Sequence, residues 1–518
     1  MHNIPGALVC LALTVPLLAA VSGATKAEVT AFEVVSEESY GSFEAGDYVR
    51  ITGKVTGELS TSEPIPDMAK ADKDNDGKVE YTTDLILIVP ADHGDGNGTL
   101  LVDIENRGRP VAHSLYNSPR DIPLPTGSLN VGTGFLENHG FLLAIPSWEL
   151  GQGIELPAFV DEAGSTRYLE GAGLAAVRDI AAWLRGLDPD PASPVGSAVD
   201  RTLATGYSQT ARFLKTFLLN GFNSLDGERV FDGMHLHAGH AGLLPILQSG
   251  TGPDSVASPF PNFSDPALRG VHEPPFTYRQ IMQEAESDGT EAPRLIATNM
   301  ANDYYSLRAS LARTGPKGTE DEPLPENVRM YDVAGGAHAI VYNMPGCELP
   351  RGNLDWHPVL RAMLLHLDRW VRDSTPPPES RLMTLVPPPD EGPPVLVAPP
   401  SAPEAVVQVP EVDKDGNDVG GVRLADIEAP LGTYLGQNWP LTDVLCTLSA
   451  AFVPFAETAA EREATGDDRL SIRERYKGHD DYVNQIARAT RALAEEGFML
   501  PEDAAIVVHA AAQNELFR

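Results

Sequence analysis

The sequence predicts an α/β fold with a mostly parallel central sheet flanked by helices. Short apolar runs of the buried-strand type alternate with helical patterns, which is typical of βαβ units. Two segments place apolar residues on one helical face, one around Leu174 and Val177 and another around Leu360 and Leu367. Hydrophobic residues make up 42% of the 518 positions, enough to bury a sizeable core. The strand-like runs are TLLVDIEN, GFLLAIPS, RTLATGYS, RLIATNM and VRMYDVAG.

The N-terminal segment carries the pattern of a secretory signal. It is apolar from Ile4 to Val21 and continues with the small residues SGA. We interpret residues 1–24 as a signal peptide and expect a secreted or periplasmic mature protein. An uncleaved anchor is the alternative, but the run is short for a membrane span and Pro16 interrupts it. We therefore expect no stable membrane span after signal removal.

Charge and cysteine content limit the partners and the compartment. The chain has 73 acidic and 38 basic residues, a net charge of -35, so nucleic acid and anionic membranes would repel it. Cys347 and Cys446 follow the predicted signal, an even count that allows one disulfide in an oxidising compartment. The sequence leaves open whether the two pair.

The rest of the chain divides by composition. Residues 25–100 are β-rich and form an N-terminal extension of the predicted core, which spans 101–374. Within the core, an irregular stretch at about 236–292 is typical of a lid or pocket wall, with a simple surface insertion as the alternative. Dense prolines predict an extended connector over 375–410. A helical C-terminal extension follows over 411–518.

Ser208 stands where a strand passes sharply into a helix, in the stretch RTLATGYSQTARF. Such a turn needs small neighbours because the strand and helix backbones nearly touch, and Gly206 supplies one. Thr210 and Ala211 stand where a second glycine is usual. We predict that Ser208 is a nucleophile. The alternative is a small residue in a tight bend.

A serine nucleophile needs a base, and the base needs an orienting acid, in the chain order Ser, acid, His for this type of sheet. His338 follows the last strand-like run and two glycines, so we predict that it is the base. Asp303 follows the run RLIATNM and is the predicted acid, with Asp232 as its rival one strand earlier. The alternatives are a helix N-cap for Asp303 and an ordinary loop histidine for His338.

The oxyanion of an acyl transfer needs backbone N–H donors. We expect one from Gln209, at the start of the helix, and one from the turn that ends TLLVDIEN. The candidate residues of that turn are Asn106, Arg107 and Gly108. Trp148 follows another strand and Tyr207 precedes the nucleophile, so both are candidates for the substrate pocket.

Two further stretches have metal-ligand character. DKDNDGKVEY begins like an EF-hand calcium loop, with oxygen ligands at its first, third and fifth positions. Its twelfth position is Thr83 rather than Glu, so a solvated acidic turn is the alternative. HLHAGH gathers three imidazoles of the kind zinc binds, with pocket-lining or surface histidines as the alternative. The residues concerned are Asp72, Asp74, Asp76, His235, His237 and His240.

Several segments together resemble bacterial secreted α/β-hydrolase-domain proteins that have a G-x-S-Q-[ST]-[GA]-R nucleophile elbow. The resemblance covers most of the mature chain and implies an α/β-hydrolase fold with a serine carboxylic-ester hydrolase mechanism. By position it makes Ser208 the nucleophile and His338 the base, while Asp303 falls where the family typically has Glu. The segments are VDIENRG, GYSQTARFLKTFLLNGFN, RVFDG, DYYSLRASL, MYDVAGGAH, VDKDGNDVGGVRL and RLSIRERY.

These observations predict an exported serine esterase that forms an acyl-enzyme on Ser208 and requires no cofactor. The expected substrate is a small-molecule or polymer-derived ester. Two alternatives remain open. One is an amide or lactone hydrolase with the same three side chains, and the other is a non-catalytic, calcium-stabilised binding module on the same fold.

Overall fold

The computed structural model describes residues 28–515 except for nine short stretches. The predicted signal peptide and part of the predicted lid lie outside the described residues. No helix in the described part of the chain is long and apolar enough to span a bilayer. The excepted stretches are 121, 189–190, 254, 256–274, 288, 341–345, 389–397, 400 and 441–442.

Eighteen strands are present among the described residues. They are β1 (Glu28–Phe43), β2 (Gly46–Leu59), β3 (Val79–Pro90), β4 (Thr99–Asp103), β5 (Leu142–Pro146), β6 (Ile154–Glu155), β7 (Ala158–Val160), β8 (Thr166–Tyr168), β9 (Arg201–Tyr207), β10 (Ser224–Leu225), β11 (Glu228–Arg229), β12 (Gly233–His237), β13 (Arg294–Met300), β14 (Val328–Val333), β15 (Leu385–Val386), β16 (Val409–Pro410), β17 (Gly432–Leu435) and β18 (Ala451–Pro454).

The described α-helices range from one turn to nearly five turns. They are α1 (Ala112–Tyr116), α2 (Phe135–Asn138), α3 (Ala172–Arg185), α4 (Gln209–Leu219), α5 (Tyr278–Ala285), α6 (Ala301–Ser306), α7 (His357–Asp373), α8 (Ala425–Glu428), α9 (Val444–Thr447), α10 (Ala459–Thr465), α11 (Ile472–Arg475), α12 (His479–Glu495) and α13 (Pro501–Ala512).

The central sheet has the strand order β1-β2-β3-β5-β4-β9-β12-β13-β14, with β6 paired to β3. The six strands from β5 to β14 run parallel, whereas β1, β2 and β3 form an antiparallel meander that joins the sheet through β3 and β5. The predicted α/β fold with a mostly parallel sheet and a β-rich N-terminal extension is therefore confirmed. The β4, β5, β9 and β12 strands are buried at every residue, because helices cover both faces of the sheet.

Helices on each face of the sheet bury the apolar stripes seen in the sequence. On one face α3 and α4 pack against the sheet, and Leu174 and Val177 of α3 are fully buried. On the other face α7 packs against β9, β12 and β13, and Leu360 and Leu367 are buried. The described end of the predicted lid is α5, which packs on α4. The predicted insertion begins slightly early at 236, because β12 continues to His237.

The C-terminal extension is fastened to the core at several points. Arg361 of α7 forms a buried ion pair with Asp503 of α13, with Nη2 and Oδ1 2.6 Å apart. Cys347 and Cys446 form a disulfide, so the pairing that the sequence left open is present here. The connector contributes β15 and β16, which pair with each other.

Candidate active site

The turn between β9 and α4 holds Ser208 in a strained conformation. Its φ of 56° and ψ of -106° lie outside the regions that non-glycine residues favour. A Cβ at Gly206 would lie 2.5 Å from the Thr210 carbonyl oxygen, so only glycine fits there. Position 210 does not require glycine, because a threonine there is accommodated and its Oγ1 accepts the Tyr207 N–H at 2.9 Å. The sharp turn predicted at Ser208 is present without the second glycine.

Ser208, His338 and Asp303 form one hydrogen-bonded chain at the carboxyl end of the sheet. His338 Nε2 lies 3.0 Å from Ser208 Oγ, and Nδ1 lies 2.6 Å from Asp303 Oδ1. Asp303 is the third residue of α6 and is fully buried. Its Oδ2 accepts the N–H of Met300, the N-cap residue, at 2.8 Å, so its carboxylate contacts both the start of α6 and His338. Ser208 is partly exposed. This arrangement can remove the hydroxyl proton of Ser208.

The rival acid Asp232 lies at the opposite, amino-terminal end of β12. Its carboxylate contacts Arg185 at 3.1 Å and Arg229 at 3.1 Å and accepts the Thr202 N–H at 3.0 Å. The structure therefore brings Asp303, and not Asp232, to His338.

The predicted oxyanion turn is a tight two-residue hairpin beside Ser208. Asn106 and Arg109 exchange both backbone hydrogen bonds, at 2.7 and 3.1 Å, while Arg107 and Gly108 have φ of 53° and 67°. Asn106 N–H is used within this hairpin, and Arg107 N–H donates to Gln209 Oε1 at 3.0 Å. Within the described residues Gly108 N–H donates no hydrogen bond, so it is the candidate of the three whose donor is uncommitted.

Tyr207 supports His338 rather than a substrate pocket. It is 8% exposed, and its Oη donates to the His338 carbonyl oxygen at 2.6 Å. Its ring stacks on the His338 ring with 5.4 Å between centroids, and His237 lies on it at 5.0 Å.

Tyr207→Phe is expected to lower kcat by about three- to tenfold, because one hydrogen bond that places His338 is lost. The ring stack should remain, so the melting temperature should change little. Steady-state kinetics and thermal unfolding measure the two effects. An unchanged kcat would show that this hydrogen bond does not position the histidine.

The structure also corrects the expectation for Trp148. Its ring is 1% exposed, lies 4.6 Å from Phe213 between centroids, and its Nε1–H donates to the Glu105 carbonyl oxygen at 2.8 Å. It is a core residue and not part of a pocket mouth. The direction of the ring depends on packing against α4, which strand position does not reveal.

The three histidines of HLHAGH are buried and hydrogen-bonded. Burial lowers the pKa of His235 to about 3. Its ring contacts the hydroxyls of Tyr116 and Thr298. His237 also contacts Thr298, and His240 accepts the Gly242 N–H. Among the described residues no three His, Cys, Asp or Glu side chains are arranged to hold a metal ion, so the zinc alternative gains no support.

The acidic stretch at Asp72 forms an exposed turn before β3. Asp74 Oδ1 accepts the N–H groups of Asp76 and Lys78, each at 2.9 Å. The three aspartates do not converge in a metal-binding cluster in this part of the structure, and calcium binding remains a prediction.

Two buried glutamates beside the site were not predicted from the sequence. Glu105 and Glu149 are 5% and 3% exposed and follow β4 and β5, whose carboxyl ends meet next to Ser208. Burial raises the pKa of Glu105 to about 8, and the charges of Asp103 and Glu149 add to this effect. The sequence signal that could have identified these two glutamates is their position shortly after a buried strand.

Glu105→Gln is expected to raise the melting temperature at about pH 9 and to have less effect at about pH 5. The folded-state pKa lies above the ordinary value, so the stability contributed by Glu105 is lost as the pH rises towards 8. Thermal unfolding across this range measures the difference. The exposed Glu155→Gln serves as control, and a gain that does not depend on pH would contradict the assignment.

Comparison with known proteins identifies the fold family. The model of the alpha/beta hydrolase domain family matches residues 146–509. None of the curated proteins matches the chain significantly in sequence.

The solved structures that are similar to this chain are distant from it. A glucuronoyl esterase from Solibacter usitatus is 13% identical over 60% of this chain and 81% of its own, with a TM-score of 0.30. The rice cell wall degrading esterase LipA from Xanthomonas oryzae, in a ligand-bound form, is 12% identical over 58% and 90%, with a TM-score of 0.29. S-formylglutathione hydrolase from Staphylococcus aureus is 10% identical over 52% and 80%, with a TM-score of 0.25. Because the family model spans well over half of the 518 residues, the chain belongs to the alpha/beta hydrolase domain family.

Proposed function

We propose that this protein is a serine carboxylic-ester hydrolase. The observation that carries the proposal is the chain of hydrogen bonds from Asp303 through His338 to Ser208, at 2.6 and 3.0 Å. Serine alone is a poor nucleophile at neutral pH, and a histidine oriented by a carboxylate commonly activates it by removing the hydroxyl proton. The strained turn at Ser208 supports the same reading, since such strain concentrates at functional sites.

In the proposed reaction Ser208 Oγ attacks the ester carbonyl carbon while His338 Nε2 takes the hydroxyl proton. Asp303 accepts a hydrogen bond from His338 Nδ1–H, which fixes the tautomer and stabilises the imidazolium. The backbone N–H of Gln209, at the start of α4, and that of Gly108 stabilise the oxyanion. The alcohol leaves with the proton from Nε2, and an acyl-enzyme remains.

Water completes the cycle. His338 Nε2 removes a proton from the water as its oxygen attacks the acyl carbon, and a second oxyanion forms at the same donors. Collapse of this intermediate breaks the bond to Ser208 Oγ, which regains the proton from His338. The carboxylic acid is released, and the residues named here suffice for each proton transfer.

We also propose that the mature protein is secreted or periplasmic. The apolar N-terminal segment supports export, and the Cys347–Cys446 disulfide fits an oxidising compartment. Terminal sequencing of the protein recovered from culture medium or periplasm tests this. A protein that keeps residues 1–24 and stays in the cytoplasm would contradict it.

Hydrolysis of p-nitrophenyl esters of increasing acyl length tests the proposed chemistry. We expect activity in the wild type, a loss of about six orders of magnitude in Ser208→Ala, and labelling of Ser208 by a fluorophosphonate. The chain-length profile reports the size of the acyl pocket. A folded wild type that hydrolyses no ester and is not labelled at Ser208 would overturn the proposal. Labelling together with turnover of amides alone would move the assignment to an amidase.

A further inference from the structure

The side chain of Gln209 lies where three strand ends meet, and the reaction above uses only its backbone. The carboxamide is fully buried. Its Oε1 accepts the Arg107 N–H of the turn after β4, at 3.0 Å. Its Nε2–H donates to Glu149 Oε1 in the segment after β5, at 3.1 Å. One amide group thus joins both loops to the first residue of α4.

The turn after β4 is tied to the chain on both sides of Ser208. Asn106 Nδ2–H donates to the Tyr207 carbonyl oxygen at 2.7 Å, immediately before the nucleophile. Arg107 N–H contacts the Gln209 side chain, immediately after the nucleophile. The next residue of this turn is Gly108, the candidate second oxyanion donor. Its position relative to Ser208 therefore depends on these two hydrogen bonds.

Glu149 determines which way the Gln209 amide faces. A carboxylate accepts hydrogen bonds only, so it selects the NH₂ end of the amide and leaves the oxygen for Arg107 N–H. Glu149 is 3% exposed, and its other oxygen makes no hydrogen bond within the described residues. A reversed amide would set two donors against each other at Arg107 and two acceptors against each other at Glu149.

We propose that the Gln209 carboxamide and the Glu149 carboxylate act together as positioning residues that hold the Arg107–Gly108 turn as half of the oxyanion site. Neither side chain touches the substrate. This inference rests on the proposed function, because the site serves only an acyl transfer. Misplaced oxyanion donors weaken binding of the transition state more than binding of the substrate. Loss of this bridge should therefore lower kcat and leave KM nearly unchanged.

Exchanging the two side chains provides the test. Gln209→Glu keeps the size and the acceptor for Arg107 N–H but sets a carboxylate against Glu149, and we expect kcat to fall by about 10- to 100-fold. Glu149→Gln alone can present either its oxygen or its NH₂ group to Gln209, so the orientation of the Gln209 amide is no longer fixed, and we expect kcat to fall by about three- to tenfold. The double variant Gln209→Glu/Glu149→Gln restores one donor and one acceptor at each contact. It should recover kcat to within about threefold of the wild type.

Gln209→Met is a second test in case Gln209→Glu does not fold. It removes the hydrogen bonds to Arg107 and Glu149 without adding a charge. We expect a fall in kcat of about tenfold, with a melting temperature that remains above the assay temperature. Folded Gln209→Glu and Gln209→Met variants with the kcat of the wild type would overturn the inference. So would a folded double variant that stays as slow as Gln209→Glu. Failure of the proposed function differs from both, because the wild type itself would then be inactive and unlabelled at Ser208.

Discussion

Replacement of His338 by alanine is expected to lower kcat for a p-nitrophenyl ester by about six orders of magnitude, as deeply as loss of Ser208. The imidazole Nε2 lies 3.0 Å from Ser208 Oγ and is the base for both halves of the proposed reaction. Steady-state or single-turnover kinetics measure the loss, and circular dichroism establishes that the variant is folded.

The half-exposed His93→Ala is the matched control for a histidine away from the sheet edge, and its kcat should equal that of the wild type. Fluorophosphonate labelling of Ser208 should fall in His338→Ala along with kcat, because the same base activates the hydroxyl. A His338→Ala variant within about a hundredfold of the wild type would mean that another group removes the proton.

Asp303→Asn is expected to lower kcat by about four orders of magnitude, with little change in KM. The asparagine can keep an oxygen towards Met300 N–H, but it then presents an NH₂ group to His338 Nδ1. His338 must then carry its proton on Nε2, where it can no longer accept the proton of Ser208. Steady-state kinetics on the folded variant measure this effect.

Asp232→Asn is the natural control, because it makes the same chemical change in the rival acid. That variant should keep the kcat of the wild type and melt at a lower temperature, since Asp232 neutralises Arg185 and Arg229. If Asp232→Asn lost activity while Asp303→Asn kept it, the acid would have been assigned to the wrong residue.

The sequence is most informative where the signal is local. Ser208 lies in a strand, glycine, serine and helix pattern, and His338 follows a strand and two glycines, so both positions can be predicted within a few residues. The choice between Asp303 and Asp232 depends on which strand end each one occupies. Asp303 follows β13, whereas Asp232 precedes β12, and only the carboxyl ends of parallel strands share one edge.

The features that could not be predicted from the sequence depend on tertiary contacts. Arg107 N–H is used by the side chain of Gln209, which lies 102 positions later in the chain. Trp148 follows a strand as predicted, but its ring turns into the core against Phe213. No local pattern records the direction of a side chain after a strand or the acceptor that a loop N–H will meet.

The C-terminal extension makes contacts that hold the loops that carry Asp303 and His338. Gly335 N–H donates to Asp418 Oδ2 at 2.7 Å, and Ala339 N–H donates to the Leu448 carbonyl oxygen at 3.0 Å. Next to Asp303, the Asn302 side chain donates to the carbonyl oxygens of two extension residues, at 2.7 and 3.0 Å. Those residues are Gly436 and Thr447.

This fastening has a consequence for biosynthesis. Ser208, Asp303 and His338 are all translated by residue 338, yet the residues that support the loops of Asp303 and His338 are translated about a hundred residues later. A nascent or prematurely terminated chain therefore carries every reactive side chain without the contacts that align them. The described positions of Asp303 and His338 therefore require that residues 418–448 have been made and have packed against the two loops, so the three side chains are aligned only well after they have been translated.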